Sequence, residues 1–325
     1  MKVGVIGGGA WGTALAQVAA QGGETLLWAR EPEVVESIAQ RRENSLFLPG
    51  LALSEQLRPT ADLADLAACD LWLVVTPAQH MRAVLEAAPR CAAALLLCSK
   101  GIEERSGQLL HRVARDSCPS AQVMVLSGPT FAHEVAAGLP TALTLAAEDE
   151  GDAEIVRRRL ARPEFRIYLS DDVAGAEVGG AVKNVLAIAC GVVEGRGLGQ
   201  NARAALIARG FAEMTRFGLA HGARLETLAG LSGLGDLVLT CSSTSSRNFS
   251  LGKGLGQGRP AAELMADRRT VAEGAFTAPV LRRLAEDQGI DMPIVAAVDD
   301  LLAGRVGVDA VLERLLSRPL RGERA

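Results

Sequence analysis

The stretch that decides the fold is the N-terminal sequence Lys2-Val3-Gly4-Val5-Ile6-Gly7-Gly8-Gly9-Ala10-Trp11-Gly12-Thr13. The residues before the first of the three consecutive glycines predict a short buried strand, and those from Thr13 onward predict a helix. Gly7, Gly9 and Gly12 between them have the spacing of a dinucleotide-binding turn, which needs a tight bend and close approach of a pyrophosphate to the backbone. The free N–H groups at the start of the helix favour an anion there. We therefore expect a dinucleotide to bind at this turn.

Further short apolar runs follow along the first half of the chain, each separated from the next by a segment that can form a helix. They are Glu24–Trp28, Leu71–Val75, Ala94–Cys98, Val123–Leu126 and Thr141–Ala146. Continuous apolar strands that alternate with helices indicate a parallel sheet covered on both faces. The sequence thus predicts an α/β domain with a mostly parallel sheet of the Rossmann type.

The pattern changes near Ser170. From Asp171 onward every periodic segment predicts a helix: Val173–Ala189, Ala202–Ala220, Ala272–Gln288, Pro293–Leu302 and Val308–Leu316. We therefore expect a dinucleotide-binding domain over residues 1–170 and an all-helical catalytic and substrate domain over residues 171–325.

Composition excludes several classes of function. The formal net charge of −4 over 325 residues gives no reason to expect a nucleic-acid partner, and we expect no membrane span. The six cysteines form no CxxC pair and have no histidine cluster nearby, so we expect no metal site and free thiols in a reducing, cytoplasmic environment. A glycine-rich turn as early as Gly7 argues against a signal peptide.

The choice of cofactor depends on the end of the second strand, Trp28-Ala29-Arg30-Glu31. An acidic residue at this position would hold the ribose 2′-hydroxyl of NAD, whereas an arginine suits the 2′-phosphate of NADP. Arg30 therefore favours NADP, with NAD as the second cofactor. Because Glu31 follows it, Arg30 could instead be an ordinary surface charge.

Lysine is scarce in this chain: Lys2, Lys100, Lys183 and Lys253 are the only four among thirty-four basic residues. Arginine effectively never releases its proton, whereas a desolvated lysine can. Lys183 lies in an apolar helix one turn after two glycines, each of which costs about 1 kcal/mol relative to alanine. Such glycines indicate close approach of a ligand or another backbone. We predict that Lys183 exchanges a proton with a carbonyl substrate; the alternative is a lysine that extends from an apolar helix to solvent.

Two further segments combine glycine with polar groups. Ser127-Gly128-Pro129-Thr130-Phe131-Ala132 follows a strand, as does Lys100, and ligands of open α/β sheets bind beyond such strand ends. Ser246-Arg247-Asn248 has the composition of a phosphate clamp, and the preceding Asp236 can hold substrate hydroxyls or orient a lysine. The alternatives are a sheet-edge turn with a solvated lysine and, over residues 242–246, a flexible polar loop.

Together the blocks at residues 7–15, 127–132, 179–184 and 235–248 resemble the bacterial NAD(P)-dependent sn-glycerol-3-phosphate dehydrogenases. The resemblance runs in the family's order from residue 2 to about 317. It implies an enzyme that reversibly reduces dihydroxyacetone phosphate with NAD(P)H, and so supplies sn-glycerol 3-phosphate for phospholipid synthesis. It also implies a homodimer.

The resemblance assigns roles to individual residues. Lys183 would be the proton donor and acceptor. The substrate would contact Lys100, Gly128, Thr130, Lys183, Asp236, Ser246, Arg247 and Asn248. The dinucleotide would contact Gly7, Gly9, Ala10, Trp11, Gly12, Arg30, Lys100, Ala132, Arg247, Val271 and Glu273. The family usually has two valines before the glutamate, where this chain has Val271-Ala272.

Two other functions fit the same features. A related two-domain dehydrogenase could act on a 3-hydroxy acid or a sugar acid, with the Arg247 cluster holding a carboxylate. A non-catalytic dinucleotide sensor could use the same fold as a binding module. Turnover with dihydroxyacetone phosphate distinguishes the proposed enzyme from both.

Overall fold

The computed structural model describes residues 1–88, 94–266 and 272–317. One eight-stranded sheet organises the first part of the chain, in the order β3-β2-β1-β4-β5-β6-β7-β8. Its strands are β1 Val3–Ile6, β2 Thr25–Trp28, β3 Leu57–Thr60, β4 Leu71–Val74, β5 Ala94–Leu97, β6 Val123–Ser127, β7 Thr141–Ala146 and β8 Phe165–Ser170. All neighbouring strands are parallel except β6 and β7.

Apolar side chains fill both faces of this sheet. Along β1, Val3 and Val5 belong to one core cluster and Ile6 to the other, and β4 alternates in the same way. A strand buried on both faces reads as a continuous apolar run, and this is why the sequence pattern predicted these strands correctly. The predicted doubly covered, mostly parallel sheet is confirmed.

The sequence pattern missed β8, which is not a continuous apolar run, and it also missed β3. Its residues, Leu57-Arg58-Pro59-Thr60, include a charge and a proline, so no apolar run marks it. β3 lies at the edge of the sheet, next to β2 alone. Proline is tolerated on an edge strand because one side of that strand needs no ladder hydrogen bonds. The antiparallel direction of β7 also carried no sequence signal.

Helices connect the strands and make up the remainder of the fold. Those that precede Ser170 are α1 Ala10–Ala20, α2 Pro32–Arg41, α3 Met81–Ala87, α4 Leu110–Ser117, α5 Ala132–Ala136 and α6 Glu150–Leu160. The later ones are α7 Val173–Gly195, α8 Gly199–Ala220, α9 Leu225–Leu228, α10 Asp236–Cys241, α11 Arg247–Gly256, α12 Ala261–Leu264, α13 Glu273–Asp287, α14 Pro293–Leu302 and α15 Val308–Leu316. Within the described residues after Ser170 no strand occurs, in line with the predicted helical domain.

The chain divides into two compact units. One contains residues 1–181 and 218–239, and the other contains residues 182–217 and the described residues from 240 onward. The division therefore falls inside α7, α8 and α10. The domain boundary at residue 170, which rests on the change of sequence pattern, stays a prediction.

α7 is longer than the sequence pattern indicated, since it continues past Ala189 to Gly195. Its length, and the mean hydropathy of 1.5 over its apolar 18-residue window, would allow it to cross a membrane, although no membrane span is expected from the sequence. Every residue of its apolar window is buried within the protein. This burial is typical of the core helix of a folded domain.

α11 was not predicted, because Gly252, Gly254 and Gly256 read as helix breakers. The structure gives two of them a packing role against α7. A Cβ on Gly252 would lie 1.9 Å from the Ile188 carbonyl oxygen, and one on Gly256 would lie 2.5 Å from that of Val192. Likewise, a Cβ on Gly191 of α7 would lie 2.1 Å from the Phe249 carbonyl oxygen of α11. The two backbones therefore touch along a seam of glycines.

Candidate active site

The glycine turn between β1 and α1 has the geometry that the sequence predicted. Gly7 has φ +124°, a conformation that other residues rarely adopt. A Cβ on Gly12 would lie 1.8 Å from the Gly7 carbonyl oxygen, so this glycine brings the helix close to the turn. A Cβ on Gly9 would meet nothing within 4 Å. The turn is therefore packed at Gly7 and Gly12 and open at Gly9.

Gly9 is also the residue that caps α1, and no side chain caps the helix there. The first-turn N–H groups are thus left for an anion at a helix N-terminus. Trp11 lies in this first turn, and its buried indole Nε1 has no hydrogen-bond partner in the described part of the chain. A buried unsatisfied donor usually indicates a missing polar ligand or water. These residues fit the pyrophosphate end of a dinucleotide.

The sequence also predicted cofactor contacts that lie outside this turn. Ala132 starts α5 and packs against the same core cluster as Ala10 and Trp11. Arg30 follows β2, has a side chain that is 76% exposed, and pairs with Glu31 at 3.0 Å. This arrangement is compatible with a 2′-phosphate site and with a surface charge. Val271 lies outside the described residues.

A polar cluster forms beyond the carboxyl ends of β5 and β6. Lys100 Nζ lies 2.6 Å from Asp236 Oδ2, across 136 residues of sequence, and 3.3 Å from the Gly128 carbonyl oxygen, to which it donates. Asp236 is fully buried and begins α10, directly after a π-helical turn. This contact with Lys100 fits one of the two roles that the sequence left open for Asp236, and the contact with substrate hydroxyls stays a prediction.

Three glycines, Gly128, Gly179 and Gly180, allow close packing around this cluster. Gly128 has φ +158°, and a Cβ there would lie 2.9 Å from Leu143 Cα. On α7, a Cβ on Gly180 would lie 3.2 Å from both Lys100 Cγ and Ser127 Oγ, and one on Gly179 would lie 2.3 Å from the Ser232 carbonyl oxygen. The expected close approach of another backbone to α7 is therefore confirmed at Gly179. Thr130 Oγ1 donates a long hydrogen bond of 3.4 Å to the Gly128 carbonyl.

Lys183 is buried in the second compact unit, with 6% of its surface exposed. Its Nζ donates to Thr240 Oγ1 at 3.0 Å. The expected alternative, a lysine that extends to solvent, is therefore wrong. Thr240 was missed because a threonine in the apolar segment Leu237-Val238-Leu239-Thr240-Cys241 gives no sequence signal of its own.

Asn184, beside Lys183, is held in a short hydrogen-bonded chain. Its Oδ1 accepts from Asn248 Nδ2 at 3.0 Å, and Asn248 Oδ1 accepts from the Gly274 backbone N–H at 2.9 Å. The two amides thus join α7, α11 and the start of α13. The predicted substrate contact of Asn248 stays a prediction, and its observed bonds position the residues around Lys183.

The predicted phosphate clamp lies at the N-terminus of α11. Ser246 caps the helix, since its Oγ accepts from the Phe249 N–H at 3.2 Å. Arg247 is the first residue of the helix, and among the described residues no hydrogen bond or ion pair involves its guanidinium. Arg247 is exposed at the surface, yet desolvation by the surrounding protein atoms lowers the pKa of its guanidinium, and the negative charge of Glu273 raises it. A permanent positive charge at a helix N-terminus is suited to an anion.

The chain therefore contains the parts of a dinucleotide-dependent oxidoreductase that acts on a small anionic substrate: an open glycine turn on a doubly covered sheet, a buried lysine, and an arginine at a helix N-terminus. Residues 2–153 match the profile of the NAD-dependent glycerol-3-phosphate dehydrogenase N-terminus, and residues 172–313 match that of its C-terminus. The chain belongs to the NAD-dependent glycerol-3-phosphate dehydrogenase family.

Individual relatives agree with the family. The chain is 64% identical over 323 residues to glycerol-3-phosphate dehydrogenase [NAD(P)+] of Erythrobacter litoralis, with 99% of this chain and 98% of the relative covered. It is 57% identical over 326 residues to the protein of the same name from Caulobacter vibrioides, with 99% and 98% covered. The crystal structure of glycerol-3-phosphate dehydrogenase from Coxiella burnetii superimposes with a TM-score of 0.93, at 36% identity, covering 98% of this chain and 99% of that one. The predicted family, fold class and enzyme class are confirmed.

Proposed function

We propose that this enzyme reversibly reduces dihydroxyacetone phosphate to sn-glycerol 3-phosphate, with NADPH as the preferred reductant and NADH as the second, and that the product enters glycerophospholipid synthesis. The observation that carries the proposal is Lys183, a buried lysine on α7 whose Nζ is held by Thr240. Reduction of a ketone needs a hydride and a proton. The nicotinamide supplies the hydride when it is bound. The protein must supply the proton.

Lys183 is the proton donor in this mechanism. An ammonium beside the carbonyl oxygen gives its proton as the alkoxide forms, and the resulting amine takes the proton back when the alcohol is oxidised. Thr240 supports both states, because a hydroxyl can accept from an ammonium and donate to an amine. Burial of Lys183 keeps water from competing for the same proton.

The phosphate of the substrate is held at the N-terminus of α11. Arg247 supplies a positive charge that persists at neutral pH, and the N-terminus of the helix supplies backbone N–H donors. Holding the distant phosphate orients the reacting carbonyl, so binding energy far from the reaction contributes to the rate. Lys100, fixed by buried Asp236, supplies a second positive charge for the substrate, with Gly128, Thr130, Ser246 and Asn248 as the remaining contacts.

On the cofactor side, the open position at Gly9 and the uncapped start of α1 support a pyrophosphate contact with Gly7, Gly9, Ala10, Trp11 and Gly12. Arg30, Lys100, Ala132, Arg247, Val271 and Glu273 complete the proposed set.

We also propose a homodimer in the cytoplasm. None of the five cysteines of the described ranges forms a disulfide with another of them, and four are buried, which suits a reducing compartment. Sedimentation of the purified protein at several concentrations tests the dimer.

The decisive experiment follows NADPH oxidation with dihydroxyacetone phosphate and, separately, with 3-oxo acids. We expect turnover only with the phosphorylated ketone. No turnover with it would refute the proposed function, and turnover with a 3-oxo acid would favour the 3-hydroxy acid dehydrogenase.

Lys183→Ala tests the proton donor. We expect a loss of kcat of roughly 10²–10⁴-fold, the usual contribution of a general acid, with the Kd of NADPH little changed. Lys253→Ala is the matched control, since Lys253 lies on α11 outside the proposed contacts, and its kcat should stay near that of the wild type. A wild type that binds NADPH but reduces no phosphorylated ketone would instead indicate a dinucleotide sensor.

A further inference from the structure

A fully buried asparagine contacts the glycine turn from a distant part of the sequence. Asn44 lies in the loop after α2, with none of its surface exposed. Its Nδ2 donates to the Gly8 carbonyl oxygen at 2.8 Å and to Thr13 Oγ1 at 2.7 Å. Its Oδ1 accepts from the Phe47 N–H at 3.1 Å. Both donors and the acceptor of one amide are therefore engaged, and both donors act on the turn and on α1.

The hydrogen bond to Gly8 determines which way the next peptide N–H points. In a planar trans peptide the carbonyl of Gly8 and the N–H of Gly9 point in opposite directions. A Gly8 carbonyl held by Asn44 therefore directs the Gly9 N–H away from Asn44. Three consecutive glycines can adopt many backbone conformations, so this direction needs a contact from outside the turn.

The two glycines joined by this peptide differ in their surroundings. At Gly8 the chain is tightly packed, since a Cβ there would lie 2.4 Å from Ala29 Cβ. At Gly9, where a Cβ would meet nothing within 4 Å, a ligand can approach the backbone closely. Thr13 reinforces the arrangement, because its Oγ1 accepts from Asn44 and lies 3.4 Å from the Gly8 carbonyl oxygen.

The loop that carries Asn44 is itself anchored. Ser37 Oγ donates to the Glu43 carbonyl at 2.6 Å, and the Leu48 N–H donates to the Asn44 carbonyl at 2.9 Å. The Gly50 N–H donates to Glu43 Oε1 at 2.8 Å. A rigid support of this kind is what a positioning group needs.

We propose that Asn44 is a positioning residue for cofactor binding: it locks the Gly8–Gly9 peptide so that the Gly9 N–H is presented to the pyrophosphate of the dinucleotide. The proposal rests on the proposed function only in that the glycine turn binds this pyrophosphate. It assigns a role to a segment, Arg42-Glu43-Asn44-Ser45, that reads in the sequence as a polar loop.

Asn44→Ala tests the proposal, with the Kd of NADPH from fluorescence titration as the readout. We expect the Kd to rise about tenfold, the effect of losing one buried hydrogen bond that orders the site. The Kd of ADP-ribose, which retains the pyrophosphate, should rise by the same factor. We expect kcat at saturating NADPH and the KM for dihydroxyacetone phosphate to stay within about threefold of the wild type. The lost contact weakens cofactor binding equally in the ground state and in the transition state, and saturating NADPH compensates for that loss.

Ser37→Ala is the matched control. It removes an anchor of the same loop and leaves every hydrogen bond of Asn44 in place. We expect it to lower Tm while the Kd of NADPH stays within about twofold of the wild type. If Ser37→Ala raised the Kd as much as Asn44→Ala at an equal loss of Tm, general ordering of the loop would replace the proposed role. An unchanged Kd in Asn44→Ala would also overturn it.

If Asn44→Ala does not fold, Asn44→Asp decides the question. Aspartate keeps the shape of the side chain and the bond from Phe47, and loses both donors. We expect weaker NADPH binding than in the wild type at pH 7, with partial recovery at lower pH as the carboxyl group regains a proton that can reach Gly8. A wild type that binds NADPH but fails to reduce dihydroxyacetone phosphate would refute the proposed function and leave this comparison of Kd values valid.

Discussion

Glycine is used in opposite ways in two regions of this enzyme. At the turn between β1 and α1, Gly9 leaves space that no protein atom fills. Along the seam between α7 and α11, Gly191, Gly252 and Gly256 leave space that the backbone of the other helix fills completely. A glycine in a sequence therefore indicates close approach, and only its surroundings tell whether a ligand or another part of the chain approaches.

The largest effect on the free energy of unfolding is expected at the seam between α7 and α11. In Gly252→Ala the new Cβ would lie 1.9 Å from the Ile188 carbonyl oxygen, so the two helices must separate. Overpacking of this kind costs typically 1–3 kcal/mol, and we expect at least about 3 kcal/mol here because the contact is with backbone. Urea unfolding measures the loss. Gly254→Ala is the control on the same helix, since its Cβ would meet only the Leu264 side chain. Equal stability of the two variants would contradict the seam.

The second effect concerns a buried carboxylate in the same unit as the seam. Glu213 on α8 accepts from the Ile294 and Val295 N–H groups at 2.7 and 3.2 Å. Burial raises the pKa of Glu213 to about 7, against the opposing effect of these two bonds and of Arg216, while Asp291 adds to the increase. In the unfolded chain the group ionises at a lower pH. The unfolded state therefore gains stability relative to the folded state as pH rises towards 7.

We accordingly expect the contribution of Glu213 to the free energy of unfolding to fall by roughly 3 kcal/mol between about pH 4.5 and pH 7. Glu213→Gln cannot titrate, so its free energy of unfolding should rise relative to that of the wild type over this range. Urea unfolding at several pH values measures the difference. Glu313→Gln, an exposed control on α15, should show a constant difference. A constant difference in Glu213→Gln as well would mean that packing there does not exclude water.

The third prediction concerns the open glycine. Gly9→Ala has room for its Cβ and a φ of −70°, so we expect a change in stability of only a few tenths of a kcal/mol. The methyl group would occupy the space of the pyrophosphate, and we expect the Kd of NADPH to rise about tenfold or more. Thermal unfolding and fluorescence titration measure the two quantities. Unchanged binding would show that the opening at Gly9 is not the ligand site.

The smallest effect is expected at Arg30. Arg30→Ala should weaken NADPH by a factor of about 5–10 and leave NADH unchanged, because a surface charge pair contributes little unless it holds the 2′-phosphate. The ratio of kcat/KM for the two cofactors measures this preference. Arg58→Ala, an exposed arginine on β3 that pairs with Glu24, is the control. An equal effect of Arg30→Ala on both cofactors would remove Arg30 from the 2′-phosphate site.

Much of the fold followed from local pattern. The strands buried on both faces appeared as apolar runs, and α14 and α15 had the predicted bounds, because burial of a strand or a helix face leaves a regular period in the sequence. The sequence pattern missed β3 and α11 because neither element has such a regular period. Pro59 and the glycines of α11 suit an edge position and a helix seam, and neither context is visible in the local sequence.

The sequence by itself determined the class of fold and the glycine turn and singled out Lys183 as the proposed proton donor, since each depends on residues within one short segment. Only the tertiary structure decided that Asp236 orients Lys100, that Thr240 holds Lys183, and that Asn44 locks the turn. Each of these contacts joins residues that lie 31 to 136 positions apart in the sequence. Hydrogen bonds act over about 3 Å in space, whatever the separation along the chain, and so no local period records them.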